Sequence, residues 1–151
     1  MYTMGIDVGS ASSKVVILED GQHIVAAEVV QVGTGSSGPQ RALELAYEKS
    51  GLKRADITKL VATGYGRFAF EDADKQISEI SCHAKGIFHL VPTARTIIDI
   101  GGQDAKAIRL DNRGGVKQFF MNDKCAAGTG RFLDVMARVL ETTLDDMAEC
   151  D

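Results

Sequence analysis

Two stretches of this chain carry an acidic residue, a glycine and a lysine in one register, a spacing suited to holding phosphate and a divalent cation. The first reads Met4-Gly5-Ile6-Asp7-Val8-Gly9-Ser10-Ala11-Ser12-Ser13-Lys14, the second Ile97-Ile98-Asp99-Ile100-Gly101-Gly102-Gln103-Asp104-Ala105-Lys106. Each is an apolar run, then Asp, an aliphatic residue, Gly, four residues and Lys, which reads as a buried strand feeding a tight turn. Lacking Cβ, a glycine lets backbone approach phosphate closely and takes positive φ at little cost, a role expected of Gly9, Gly101 and Gly102. Ser10, Ser12 and Ser13 add hydroxyl donors, and successive N–H groups in such a turn make an anion-binding nest. The expected phosphate-binding set is Gly9, Ser10, Ala11, Ser12, Ser13 and Lys14 with Gly101, Gly102 and Lys106. Asp7 and Asp99 are placed to hold Mg²⁺ through water, because that ion sheds its hydration reluctantly. Gln103 or Asp104 could orient an attacking water, and these two with Asp99 are the candidate catalytic residues, since phosphoryl transfer is catalysed mostly by positioning and charge stabilisation. One copy alone would read as an ordinary glycine-rich turn with a solvated lysine. Two copies in register favour a nucleotide-handling fold. No P-loop run is present.

A further candidate is Cys125, within Asn122-Asp123-Lys124-Cys125-Ala126-Ala127-Gly128-Thr129-Gly130-Arg131-Phe132 and just before a predicted helix. Free N–H groups and the positive dipole end there would stabilise a thiolate or an anionic cluster. A [4Fe–4S] centre takes four thiolates, and the chain has three cysteines, Cys82, Cys125 and Cys150. One well-placed cysteine per chain implies sharing between subunits. On the residues alone, a buried cysteine packing a helix start is the plainer reading. Cys82-His83 falls mid-helix, where core packing for Cys82 and a surface or interlobe position for His83 are expected. Arg67 could reach a phosphate or partner, or simply stabilise its loop; Cys150 has no expected role.

These residues need a scaffold, and the chain supplies one. Tyr2–Val8 and Lys14–Glu19 read as strands, with an Asp20-Gly21 hairpin signal before the apolar run His23–Val32. A loop, Gly33-Thr34-Gly35-Ser36-Ser37-Gly38-Pro39, precedes a helix over Arg41–Lys49 that Gly51 is placed to stop. Ile57–Ala62 is a further strand, and Ile80, Ala84, Ile87, Phe88 and Val91 recur at helical spacing before Pro92. The second half repeats the order: strands Thr96–Ile100, Ala105–Leu110 and Val116–Met121, then Gly128-Thr129-Gly130 and a helix with Phe132, Met136 and Val139 on one face. A Gly-Thr-Gly triplet precedes a helix in both halves. The expected class is α/β with duplicated βββα units, as an N-terminal lobe 1–92 and a first part of a C-terminal lobe 93–151.

At 151 residues, with 44% hydrophobic and 25% charged residues, the chain suits one domain or two small lobes with a real core. The net charge of −4 and the lack of a basic run argue against nucleic-acid binding. No apolar stretch approaches membrane-spanning length, and no signal peptide is apparent, so a cytoplasmic protein without a membrane partner is expected. Reduced thiols or a cluster ligand are favoured over structural disulfides.

Taken together, Gly5-Ile6-Asp7-Val8-Gly9-Ser10, Ala62-Thr63-Gly64-Tyr65-Gly66-Arg67, Ile98-Asp99-Ile100-Gly101-Gly102-Gln103-Asp104 and Asn122 to Asp134 closely resemble the ATPase activators of 2-hydroxyacyl-CoA dehydratases. They are similar also to the ATPase subunits of benzoyl-CoA reductases. The resemblance implies an actin-like ATPase fold, shared with acetate and sugar kinases and heat-shock chaperones. It implies ATP/ADP and Mg²⁺ as cofactors, and a homodimer with one [4Fe–4S] cluster at the subunit interface, Cys125 matching one of two ligands from each subunit. It further implies ATP-driven transfer of a low-potential electron to a partner dehydratase, with reduced ferredoxin or flavodoxin as the electron source, in anaerobic metabolism. The family's second cluster cysteine, its later Gly-Gly adenosine-contacting segment and the helices completing the second lobe fall beyond Asp151. The chain thus looks like a family member cut short, with an incomplete second lobe. A small-molecule (sugar-type) kinase on the same fold, with Asp99 or Asp104 as base, and a non-catalytic fragment are the alternative readings.

Overall fold

The structure is a computed structural model and describes residues 1–149; Cys150 lies outside the described residues. The chain divides into two compact units, Met1–Cys82 and His83–Asp151.

The first unit is built on a five-stranded sheet of order β3-β2-β1-β4-β5. Strands β1 (Tyr2–Val8), β2 (Ser13–Glu19) and β3 (His23–Val30) run antiparallel, while β4 (Ile57–Thr63) pairs parallel with β1 and the two-residue β5 (Lys75–Gln76) extends β4. The β2–β3 turn is of type I′: Asp20 and Gly21 have φ of 51° and 72°, and Gln22 N–H donates to Glu19 O. That turn matches the right-handed twist of the strands it joins. Alternation along β1 sends Met4, Ile6 and Val8 to one face, where they meet Val15, Ile17, Ala26 and Val30. Helix α1 (Gly38–Ser50) covers this face with Ala42, Leu43 and Ala46; small residues four apart let it sit close to the sheet. Each fully buried Ile or Leu here contributes roughly 1.5–3 kcal/mol. Pro39 stands in the first turn of α1, where its missing N–H costs nothing, and left-handed Gly51 ends it by donating to Tyr47 O.

The second unit carries a three-stranded antiparallel sheet, β6 (Thr96–Ile100), β7 (Ala105–Leu110) and β8 (Val116–Asn122). Its buried apolar residues are Ile97, Ile108, Leu110 and Ala137, and Ala84 is buried on α2 (Glu79–Leu90), the helix within which the division between units falls. The turn from β7 to β8 is fixed by Asp111, whose Oδ1 accepts from Gly115 N–H and Arg113 N–H. These bonds hold its carboxyl below the ordinary carboxylate range. Helix α3 (Gly130–Val139) buries Ala137 and half-buries Met136, while Phe132 and Val139 remain exposed. The short α4 (Leu144–Ala148) starts at Thr143, whose Oγ1 accepts from Asp146 N–H.

Candidate nucleotide site

In the first unit, the β1–β2 register sets Asp7 opposite Lys14 and Val8 opposite Ser13, so the residues between must form a tight turn. Gly9 N–H closes it on Ser12 O at 3.1 Å. The sequence expectation that Gly9 and Gly101 adopt positive φ is not met; neither is among the left-handed glycines. Glycine is needed for room instead. A Cβ at Gly9 would stand 2.8 Å from Ser12 O, and one at Gly101 2.7 Å from Asp104 Oδ1. Two more loops converge on this turn: Thr34 N–H donates to Gly9 O at 2.8 Å, and Gly66 N–H to Val8 O at 2.9 Å. Lys14 Nζ lies 2.9 Å from Asp7 Oδ2, and its side chain is 44% exposed. Beside Asp7 in the parallel register stands Thr63, whose Oγ1 is buried with no hydrogen-bond partner among the described residues. Gly64, at φ +85°, brings its backbone against the Asp7 carboxylate. Ala11 is exposed and Ser10 and Ser12 are half-buried. Ser13 is buried, its Oγ donating to Val32 O at 2.9 Å.

The second unit builds the same frame with a different filling. Asp99 stands opposite Lys106, and Gly101 N–H closes the turn on Asp104 O at 2.8 Å. Here Asp104 turns inward. Lys106 Nζ lies 2.5 Å from Asp104 Oδ1 and 3.5 Å from Asp99 Oδ2, with only 4% of the lysine side chain exposed. A buried pair of this kind must have good geometry to offset its desolvation, and losing one partner strands the other. His83 of α2 brings Nδ1 to 3.4 Å from Asp99 Oδ1. Gln103 is exposed. The chain after β8 docks on this turn, Gly130 N–H donating to Gly101 O and Arg131 N–H to Gly102 O. Both Gly-Thr-Gly triplets therefore bind a glycine turn, though not residue for residue: Gly35 is left-handed in the first, Gly128 in the second.

Cys125 is exposed, so the reading of it as a helix-packing cysteine does not hold. Cys82 is half-buried and lines a cavity of about 370 Å³ on the sheet face opposite α1, with Gly5, Val16, Val29 and Thr63. Arg67 stabilises its own loop: Nη1 donates to Gly64 O at 2.8 Å and lies 3.5 Å from Glu79, and the guanidinium stacks 4.5 Å from the Phe68 ring centroid.

No group of three or more metal-ligating side chains occurs among the described residues. Mg²⁺ does not need one, because it binds through one or two carboxylates, substrate phosphates and retained waters. Asp7, beside an orphaned hydroxyl and a turn kept open by glycine, fits that mode. A [4Fe–4S] cluster needs four thiolates, and exposed Cys125 fits as one contributor.

A βββα order run through twice, with an Asp–Lys pair framing a glycine-closed turn in each unit, belongs to the actin-like ATPase class of α/β fold. The chain is a member of the BadF/BadG/BcrA/BcrD ATPase family, whose model matches residues 4–151. It is 84% identical over 151 residues to the activator of lactoyl-CoA dehydratase from Anaerotignum propionicum, covering all of this chain and 58% of that protein. The structure of the activator of the 2-hydroxyisocaproyl-CoA dehydratase from Clostridium difficile with bound ADPNP matches at TM-score 0.93 and 62% identity, over 95% of this chain and 54% of that one. The ROK hexokinase from Thermus thermophilus matches at TM-score 0.55 and 13% identity over 94% and 65% of the two chains, a likeness of fold alone. The chain spans little more than half the length of the curated relatives it matches.

Three participants in the site are not marked by the spacing of the motif residues. Thr63 and Gly64 reach Asp7 only because β4 lies parallel to β1, and His83 reaches Asp99 from another element. Their segments were visible as motifs, but no local spacing announces contacts made through sheet pairing.

Proposed function

We propose that the chain is the nucleotide-handling part of an ATP-hydrolysing activator that passes a low-potential electron to a 2-hydroxyacyl-CoA dehydratase. The observation that carries the reading is the pair of Asp–turn–Lys frames, each closed by a glycine that no larger residue could replace without a clash. Relatives named as dehydratase activators, one of them solved with bound ADPNP, support nucleotide and partner. In this reading the lobes are 1–92 and 93–151, and the Gly9–Lys14 segment cradles phosphate with its N–H groups. Lys14 is free to exchange its exposed bond to Asp7 for a phosphate oxygen. Asp7 and Asp99 hold Mg²⁺ through water, and the ion neutralises the charge that develops on the phosphates. Exposed Gln103 orients the water that attacks the γ-phosphorus as the bond to ADP breaks; Asp104, buried against Lys106, fixes the turn that carries Gln103.

Cys125 supplies one thiolate of a [4Fe–4S] cluster, shared with a second copy of the chain and serving as the one-electron carrier. Reduced ferredoxin or flavodoxin is the donor, and the setting is an anaerobic cytoplasm. Among the described residues, no helix is long and apolar enough to cross a membrane.

Phosphate release by Asp7→Asn and Asp99→Asn variants tests the nucleotide roles. Turnover should fall on the order of a hundredfold or more, with the fold intact by circular dichroism. Hydrolysis at the wild-type rate in both variants would refute the assignment.

A further inference from the structure

We infer that His83 is a positioning residue that fixes the orientation of the Asp99 carboxylate for hydrolysis, an inference that rests on the ATPase reading above. The two frames hold their carboxylates unequally. Asp7 has its lysine at 2.9 Å, whereas Asp99 must share Lys106 with Asp104, which holds that ammonium at 2.5 Å and leaves Asp99 the longer contact of 3.5 Å. A carboxylate gripped on one oxygen by a shared ammonium can still rotate about its terminal torsion, which is broad for Asp. The His83 imidazole meets the other oxygen, Oδ1, from a separate element. Buried Ala84 anchors α2 immediately beside it, so the imidazole is presented from a fixed backbone at the margin of the core. Nδ1 faces one oxygen at 3.4 Å and Nζ the other at 3.5 Å, so the carboxylate is bracketed from two sides. The first frame has no such histidine. There Gly64 packs against Asp7 instead.

An imidazole that holds a carboxylate oxygen through Nδ1 must carry its proton on that nitrogen when the ring is neutral, so the inference predicts the Nδ1–H form. This gives a test in which chemistry and helix stability predict opposite orders. Asn places its amide nitrogen where the histidine carries Nδ1, while Gln carries it one carbon further out; yet Gln is the better helix former. ATP turnover by the full chain should fall on the order of tenfold in His83→Ala and His83→Gln, with KM for ATP unchanged, and His83→Asn should restore most of it. Gln equal to or better than Asn, or all three at the wild-type rate, would overturn the inference. If the wild-type chain does not hydrolyse ATP at all, the ATPase reading falls by itself, and the imidazole nitrogen spectrum decides the role of His83. Ring nitrogen shifts of the neutral imidazole should show Nδ1 protonated, reverting to Nε2 in Asp99→Ala. A wild-type ring already protonated on Nε2 would rule the contact out.

Discussion

At the scale of single residues, glycine does two distinct jobs in this chain, and they predict different outcomes on substitution. Gly64 is left-handed, and a side chain there would run into Asp7 Oδ1 and the Val8 carbonyl. Gly86, in the middle of α2, has open space around its Cα and an ordinary helical backbone. Gly64→Ala should therefore cost about 1–3 kcal/mol from backbone strain, with further loss from displacing Asp7. Gly86→Ala should be neutral or stabilising by about 0.5–1 kcal/mol, as alanine is the better helix former. Denaturant midpoints of the two variants check this, and equal losses would show that the Gly64 backbone yields more readily than the contact implies.

At the scale of elements, the brief β5 strand depends on a carboxylate. Asp74 Oδ2 accepts from Leu60 N–H at 2.7 Å, while Asp74 N–H returns to Leu60 O at 2.9 Å, so this residue hooks β5 onto β4 just before the pairing begins. The backbone donor is the largest influence holding the Asp74 carboxyl below its ordinary range. A carboxyl whose pKa is lowered by folding adds stability above its unfolded pKa, and that stability is lost as pH falls through the lowered folded value. Asp74→Asn should thus lower the thermal midpoint at neutral pH, and the gap from wild type should close below the usual carboxylate range near pH 4. A gap unchanged by acid would mean that the carboxylate charge is not what holds the strand. Element existence was otherwise largely legible. The bounds of β1, β6 and β7 coincide with the sequence reading because apolar runs there end at glycine or Asp-containing turns. A two-residue strand has no periodicity to detect, and β5 went unread. So did α4, although Thr143 three residues ahead of Asp146 is a visible helix-start pattern. In β6 both faces are apolar, and the sequence did not reveal that Ile97 is buried while Ile98 and Ile100 are exposed.

At the scale of the whole molecule, one architecture occurs twice with unequal solvent access. The Asp–Lys frames match in register, turn closure and docked Gly-Thr-Gly segment, and that much followed from the repeated spacing. What spacing could not convey is that position 12 holds serine and position 104 holds aspartate, and the aspartate draws its lysine inward. The chemistry of an amine distinguishes the halves as a result. An acylating reagent at low dose should modify Lys14 and spare Lys106, and peptide mass spectrometry would read the two sites in a single digest; comparable labelling would mean that the inner pair opens readily. A reagent of that kind reports on one turn without touching its twin, so ATP protection of the labelled site would test whether the first turn holds nucleotide.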